Sequence, residues 1–432
     1  MKSGFYVIMA AQFFSSLADN ALLIAAIAML AQLEGPAWLT PLLKFFFTIS
    51  YVVLAFLVGA FADSMPKGRV MLATNAIKIV GCLLILFNDL LRVGHVPAYW
   101  LVLVAYAVVG LGAAAYSPAK YGILTELLPP EKLVMANGWI EGLTVASIVL
   151  GNVLGGMLIG PRVSHLLLSV DVPFVETTID TPPEAAIVVI VGVYVVAAVL
   201  NLAIPDTGAR YPHQERNPVR LLVDFSRCFT ILWRDKLGQI SLAVTTLFWG
   251  AGACLQFIVI KWAEGHLKLH LDQSAMLSGV SALGVAIGAV LAARLVPLKK
   301  AVNVLPVGVA MGIAVISMVS LKAMPVVYLV LVLIGAMAGF FVVPMNALLQ
   351  HRGNVLMSAG HSIAVQNFNE NVSILVMLAL YALMIRSDLR IQSVVVLFGL
   401  FVSGSMYLIM RWNAANHRAD PHLDRLIGEA KR

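Results

Sequence analysis

Apolar runs of about 20 residues, separated by short polar turns, recur along the whole chain. Each is long enough to cross a bilayer as a helix. The pattern predicts twelve spans, near 5–31, 42–63, 70–90, 97–127, 134–160, 185–204, 238–262, 275–296, 301–320, 325–349, 356–384 and 391–412. One long polar break, 205–237 (PDTGARYPHQERNPVRLLVDFSRCFTILWRDKL), divides them six and six. The predicted fold class is all-α: a polytopic membrane protein with 12 transmembrane helices in two six-helix bundles. Residues 1–205 form the N-terminal bundle, 206–237 a cytoplasmic linker, 238–412 the C-terminal bundle and 413–432 a cytoplasmic tail. The first span lacks a short apolar region ending in a small-residue cleavage site, so it reads as a retained helix rather than a leader.

The halves carry a weak internal repeat. GLGAAAYSPAKYGIL (110–124) aligns with GAMAGFFVVPMNALL (335–349), Pro118 on Pro344, and ANGWIEGLTV (136–145) falls opposite AGHSIAVQNF (359–368). Each passage reads as a proline-containing helix, a cytoplasmic turn and a polar helix. Corresponding special helices in two halves point to a transporter with its site at the midplane.

Composition agrees: 60% of residues are hydrophobic and 12% charged, against roughly 25% charged in soluble domains. The net charge of +7 reads as cytoplasmic loops facing anionic lipid rather than as a nucleic-acid surface. With the N-terminus inside, twenty of the 29 Lys and Arg fall in cytoplasmic segments and seven in outer loops, which predicts both termini inside. The outer loop 161–184 is acidic (Asp171, Glu176, Asp180, Glu184). Cys82 and Cys254 fall in spans and Cys228 in a basic loop, so neither a disulfide framework nor a metal site is expected. No Walker loop, acyltransferase signature, nucleophile elbow or zincin motif occurs. The histidines are scattered and receive no catalytic role. The expectation is a non-enzyme without cofactor.

Chemistry concentrates at polar positions inside spans. Asp19, beside Asn20, lies deep in span 1, where a carboxylate costs about 2.5–3.5 kcal/mol and marks a functional site by default. Gln12, Ser15/Ser16 and Asp19 share one helical face. Span 4 pairs Tyr116 with Lys120. Span 5 places Glu141, Thr144, Gly151 and Asn152 on one face, span 7 offers Thr246, Trp249 and Gln256, and span 11 carries Gln366, Asn367, Asn369, Glu370 and Asn371. Several have plainer readings. Lys120 is equally a lysine snorkelling to the interface, Lys261 a surface partner of Glu264, and Glu370 a hydrogen-bonding link between helices. Lys78, two turns into span 3, has no obvious role.

Between spans 2 and 3 runs Gly59-Ala-Phe-Ala-Asp63-Ser-Met-Pro66-Lys67-Gly68-Arg69. It resembles the conserved loop of the major facilitator superfamily. The resemblance implies that Asp63 faces the N-terminus of span 11, whose dipole favours an anion, and that Gly59, Asp63, Lys67 and Arg69 form a gate latch. The second half, GAVLAARLVPLKK (288–300), has Ala292 where a matching Asp would stand.

Longer segments are more specific. AQFFSSLADNALL (11–23), VGAFADSMPKGRVM (58–71), GLGAAAYSPAKYGIL (110–124), LFWGAGACLQF (247–257), GFFVVPMNALLQHRG (339–353) and AVQNFNEN (364–371) resemble the bacterial lysophospholipid transporter family of that superfamily, over roughly 8–380. The resemblance implies a major facilitator fold in the inner membrane. It implies movement of lyso-phosphatidylethanolamine-type lipids from outer to inner leaflet without a proton gradient, feeding re-acylation by a cytoplasmic acyltransferase/acyl-carrier-protein synthetase. Asp19, Asn20, Tyr116, Lys120, Glu141, Gln256 and Glu370 carry over as substrate-binding positions. Gln256 stands where the family leads one to expect an arginine. Asp19 is therefore expected to bind the lipid amine rather than anchor a fixed ion pair. Two alternatives stay open: a proton-coupled drug or metabolite antiporter using Asp19, Glu141 or Glu370, and a membrane enzyme or scaffold.

Overall fold

The computed structural model describes residues 3–35, 39–88, 97–169, 179–211, 217–269, 271–387, 389–421 and 423–427. Fifteen α-helices carry the described chain: α1 Ser3–Gln32, α2 Leu39–Val53, α3 Ala55–Asp63, α4 Lys67–Leu86, α5 Ala98–Leu127, α6 Leu133–Ile159, α7 Pro161–Leu168, α8 Pro182–Leu202, α9 Pro218–Arg234, α10 Gly238–His266, α11 Leu271–Leu295, α12 Leu305–Ser317, α13 Met324–Leu356, α14 Ala359–Arg386 and α15 Ile391–Ala419. No strand occurs among the described residues. Among the described residues eleven helices are long and apolar enough to cross a membrane, and α2 with α3 make a twelfth when counted as one broken span. Asp171 and Glu176 of the acidic outer loop lie outside the described residues.

Two details depart from the periodicity reading. Span 2 is not one rod: α2 and α3 are bent by 65°. The bend follows a serine that bonds backward, since Ser50 Oγ donates to Phe46 O at 3.1 Å and to Ala107 O on α5 at 3.4 Å. Such back-bonding competes with the helix ladder and bends helices. The polar break 205–237 contains the helix α9, and Cys228 sits on it rather than in a loop. Asn217 caps α9 by accepting from Val219 N at 3.0 Å, with Pro218 at the first helical position. Inward residues Leu221 and Leu232 are buried, and Phe225 and Phe229 pack edge-on against Phe368 of α14.

The chain forms two compact units. The first comprises Met1–Ile123 with Ala146–Arg216, the second Leu124–Val145 with Asn217–Arg432. Helix α6 thus gives its first half to the second unit and its remainder to the first. In the first unit α1 packs along α8, and α4 also lies on α8. Gly151 and Gly155 of α6 let that helix touch the α1 backbone at Leu17 and Ala21, the small-residue spacing that brings membrane helices together. In the second unit α11 lies along α13. There Gly284 and Gly288 face the carbonyls of Val332 and Ala336, while Gly335 and Gly339 face those of Ser281 and Val285. A side chain at any of the four would strike backbone.

Candidate functional site

In the first unit Asp19 is the centre of a buried polar cluster. Its Oδ2 accepts from Lys78 Nζ of α4 at 2.8 Å, and its Oδ1 from the Tyr194 hydroxyl of α8 at 2.6 Å. Lys78 Nζ also donates to Ser15 Oγ at 3.0 Å, and Ser15 Oγ donates to Asn75 Oδ1 at 2.8 Å. The ammonium lies 4.9 Å from the Tyr116 ring centroid and 5.6 Å from that of Tyr194, within cation–π range. The Lys78 side chain is 1% exposed and that of Asp19 19%. The lysine is sealed inside while one edge of the carboxylate stays open.

This corrects two expectations. Asp19 does anchor an ion pair, and its cation is Lys78, a residue without an obvious role in the sequence. The partner is 59 residues away on another helix, so periodicity within span 1 carries no sign of it. The ammonium of Lys120 lies 4.4 Å from the Tyr121 ring centroid. Lys261 bonds Glu264 at 3.1 Å on an exposed surface, as the plainer reading had it. Asn20 donates to Ser16 O of its own helix at 2.8 Å. Ser16 in turn accepts from Ser147 Oγ of α6 at 2.8 Å.

Around the pair, buried polar atoms stand without partners. Both amide atoms of Gln12, one turn from Ser15, and Nδ2 of Asn75 are in this state. Gln12 is 1% exposed and Asn75 0%. Such groups cost about 1–3 kcal/mol each when unsatisfied. They leave two donors and an acceptor beside the Asp19–Lys78 pair.

The second unit holds its own polar ladder. Asn346 of α13 donates to Glu141 of α6 at 3.2 Å, Gln366 of α14 donates to Asn346 at 3.0 Å and to Glu370 at 2.7 Å. One turn away, Asn137 and Gln350 exchange amide bonds at 2.9 and 2.8 Å. Glu141 and Glu370 are buried, 3% and 7% exposed. The sequence placed these carboxylates correctly inside spans but missed Asn346 and Gln350, which a scan for charge passes over. Gln256 is exposed on α10, and Asn152 is exposed on α6.

At the loop between α3 and α4, Lys67 donates to Asp63 and, at 2.8 Å, to Ala62 O, with its ammonium 4.8 Å from the Tyr211 ring centroid. Asp63 and Lys67 are buried, Gly59 is buried and Arg69 is exposed. Pro66 caps α4. The sequence also missed a second buried ion pair. Arg352 Nη2 donates to Asp235 Oδ2 at 2.8 Å and Nε to Oδ1 at 3.2 Å, and Nη1 donates to Leu426 O at 3.0 Å. Asp235 Oδ1 accepts from Gly238 N at 2.7 Å, so one aspartate holds both the start of α10 and the end of α13. No cluster of metal-ligating side chains occurs among the described residues.

The profile of the Major Facilitator Superfamily matches residues 8–377. The chain is 41% identical over 389 residues to "Lysophospholipid transporter LplT" of Yersinia enterocolitica, covering 89% of this chain and 88% of that one. Among solved structures, a bacterial homologue of the iron transporter ferroportin in the outward-facing state superimposes with a TM-score of 0.72 at 14% identity, over 96% of this chain and 100% of that one. FucP, a major facilitator transporter in the outward conformation, gives 0.71 at 13% identity, over 95% and 98%. At those identities the two structures speak to the fold alone.

Proposed function

We propose that this chain, which belongs to the lysophospholipid transporter family of the major facilitator superfamily, carries lysophospholipids from the outer to the inner leaflet of the bacterial inner membrane. The observation that carries the reading is its similarity to a named lysophospholipid transporter over nearly the whole of both chains. The site chemistry supports it. A lyso-phosphatidylethanolamine headgroup is a zwitterion. Its ammonium suits the open edge of Asp19. Asn20, Tyr116, Lys120, Glu141, Gln256 and Glu370 are further binding positions in this reading. Gly59, Asp63, Lys67 and Arg69 work as the gate, and transport is alternating-access facilitated diffusion. Both termini lie in the cytoplasm, and a cytoplasmic acyltransferase/acyl-carrier-protein synthetase consumes the delivered lipid.

The test is uptake of labelled lyso-phosphatidylethanolamine by spheroplasts. Asp19→Ala abolishes uptake at unchanged protein level, and a protonophore leaves wild-type uptake intact. Normal uptake by Asp19→Ala removes that residue from the site. One observation favours the proton-coupled antiporter: two buried carboxylates, Glu141 and Glu370, linked through Asn346 and Gln366. Loss of uptake on adding protonophore selects that mechanism instead.

A further inference from the structure

Lys78 lies outside the loop assigned to the gate, and its side chain is 1% exposed while that of Asp19 is 19% exposed. Its donors are nonetheless fully engaged: Asp19 at 2.8 Å, Ser15 at 3.0 Å, and the faces of two tyrosines. A lysine 1% exposed in a membrane interior is tolerated when a fixed anion and hydrogen bonds satisfy it. An aspartate at the same depth needs a cation or else takes up a proton. The titratable groups around Asp19 are Lys78 and Cys82 from α4, Tyr106 and Tyr116 from α5, and Tyr194 from α8; α6 contributes the uncharged Ser147 through Ser16. Of these, Lys78 is the cation.

We propose that Lys78 is a tethered counter-cation: a positioning residue that occupies, permanently and covalently, the place a travelling proton or metal ion takes beside a carboxylate in an ion-coupled carrier. Tyr194 and Lys78 hold one oxygen each, which fixes the carboxylate plane and leaves its remaining lone pairs at the exposed edge. The bond between Lys78 and Asp19 persists through the cycle. A substrate ammonium adds to the carboxylate without displacing an ion to either side of the membrane. The uncoupled character of the transport cycle is then built into one side chain. This rests on the lysolipid-carrier reading for its meaning, but the state of Asp19 can be read without transport.

Dicyclohexylcarbodiimide reacts with protonated carboxyl groups inside membrane proteins. The full-length protein in detergent is treated with it between pH 6 and 8, and the peptide containing Asp19 is followed by mass spectrometry. In the wild type Asp19 resists labelling across this range. In Lys78→Met it labels, by about tenfold or more at pH 6, and less as pH rises. Lys78→Arg, which keeps the cation, resists again. Wild-type labelling equal to that of Lys78→Met, or a folded Lys78→Met that resists throughout, overturns the proposal. If Lys78→Met does not fold, Asp19→Asn/Lys78→Met, which removes both charges, elutes as a monodisperse peak. Collapse of the double variant as well overturns the proposal, because the two charges are then not a self-compensating unit. Failure of lipid uptake alone, with the labelling pattern intact, counts against the lysolipid reading and not against the counter-cation.

Discussion

Single side chains in this protein carry energies far above those of surface residues, because charge sits where water does not. Breaking a buried ion pair by removing one partner costs about 3–5 kcal/mol. Arg352→Ala, which strands Asp235 and frees the cap of α10, is therefore expected to lower the thermal unfolding midpoint in detergent sharply. Arg352→Lys falls between the two, since it keeps charge but loses the fork geometry. Tyr194→Phe removes one charge-assisted bond to Asp19, about 1.5–3 kcal/mol. It is expected to weaken lysolipid uptake at unchanged expression, measured as a rise in the half-saturating concentration. Outside the membrane, the side chain of Arg210 hydrogen-bonds Asp206, with Gly208 N adding a second bond, and brings its carboxyl down to about 2. That exposed pair is lost only as pH falls through about 2, so Asp206→Asn leaves the pH profile of uptake between 6 and 8 unchanged. At this scale the sequence was half legible. Asp19, Glu141 and Glu370 announce themselves because a carboxylate in an apolar run is costly. Lys78 does not, because two turns into span 3 it has no carboxylate at helical spacing on its own helix, and only the third dimension shows its bond to Asp19.

Helices were the most legible level. Apolar length and turn residues place nearly every span within a few residues, since backbone groups in lipid have no alternative to helical bonding. The misses have local causes. The bend between α2 and α3 falls just after Ser50, whose hydroxyl reaches Ala107 O on a neighbouring helix, a contact that no pattern within span 2 contains. Helix α9 hides in a polar stretch because Arg220, Asp224, Arg227 and Arg234 interrupt its apolar residues, and it is held by Phe368 and by Trp233 Nε1, 3.3 Å from Asn369 Oδ1. The glycine seam of α11 and α13 gives the sharpest prediction at this level. Gly288→Leu drives a side chain into Ala336 backbone and is expected to leave no monodisperse protein on size-exclusion chromatography. Gly404→Ala, where a Cβ meets nothing, is expected to be neutral or to raise the unfolding midpoint, by up to about 1 kcal/mol of helix propensity.

The whole molecule is a polytopic transporter, and its orientation follows from the proposed cytoplasmic termini. A cysteine introduced at Arg418, with Cys228 replaced, is expected to react with a membrane-impermeant maleimide in inverted vesicles and not in intact spheroplasts. The two units do not coincide with the two halves of the sequence. Leu124–Val145 belongs to the second unit, so a fragment 217–432 made alone lacks Glu141 and Asn137, which bond Asn346 and Gln350, and is expected to aggregate, while co-expression with 1–216 is expected to restore a soluble detergent complex. Biosynthesis inherits the same arrangement. Glu141 leaves the ribosome 205 residues before Asn346, the amide that receives it. For that interval α6 rests in the bilayer without the bond between Glu141 and Asn346. The first six spans therefore cannot finish folding on their own schedule. The insertion machinery must keep α6 soluble in lipid until α13 has been made.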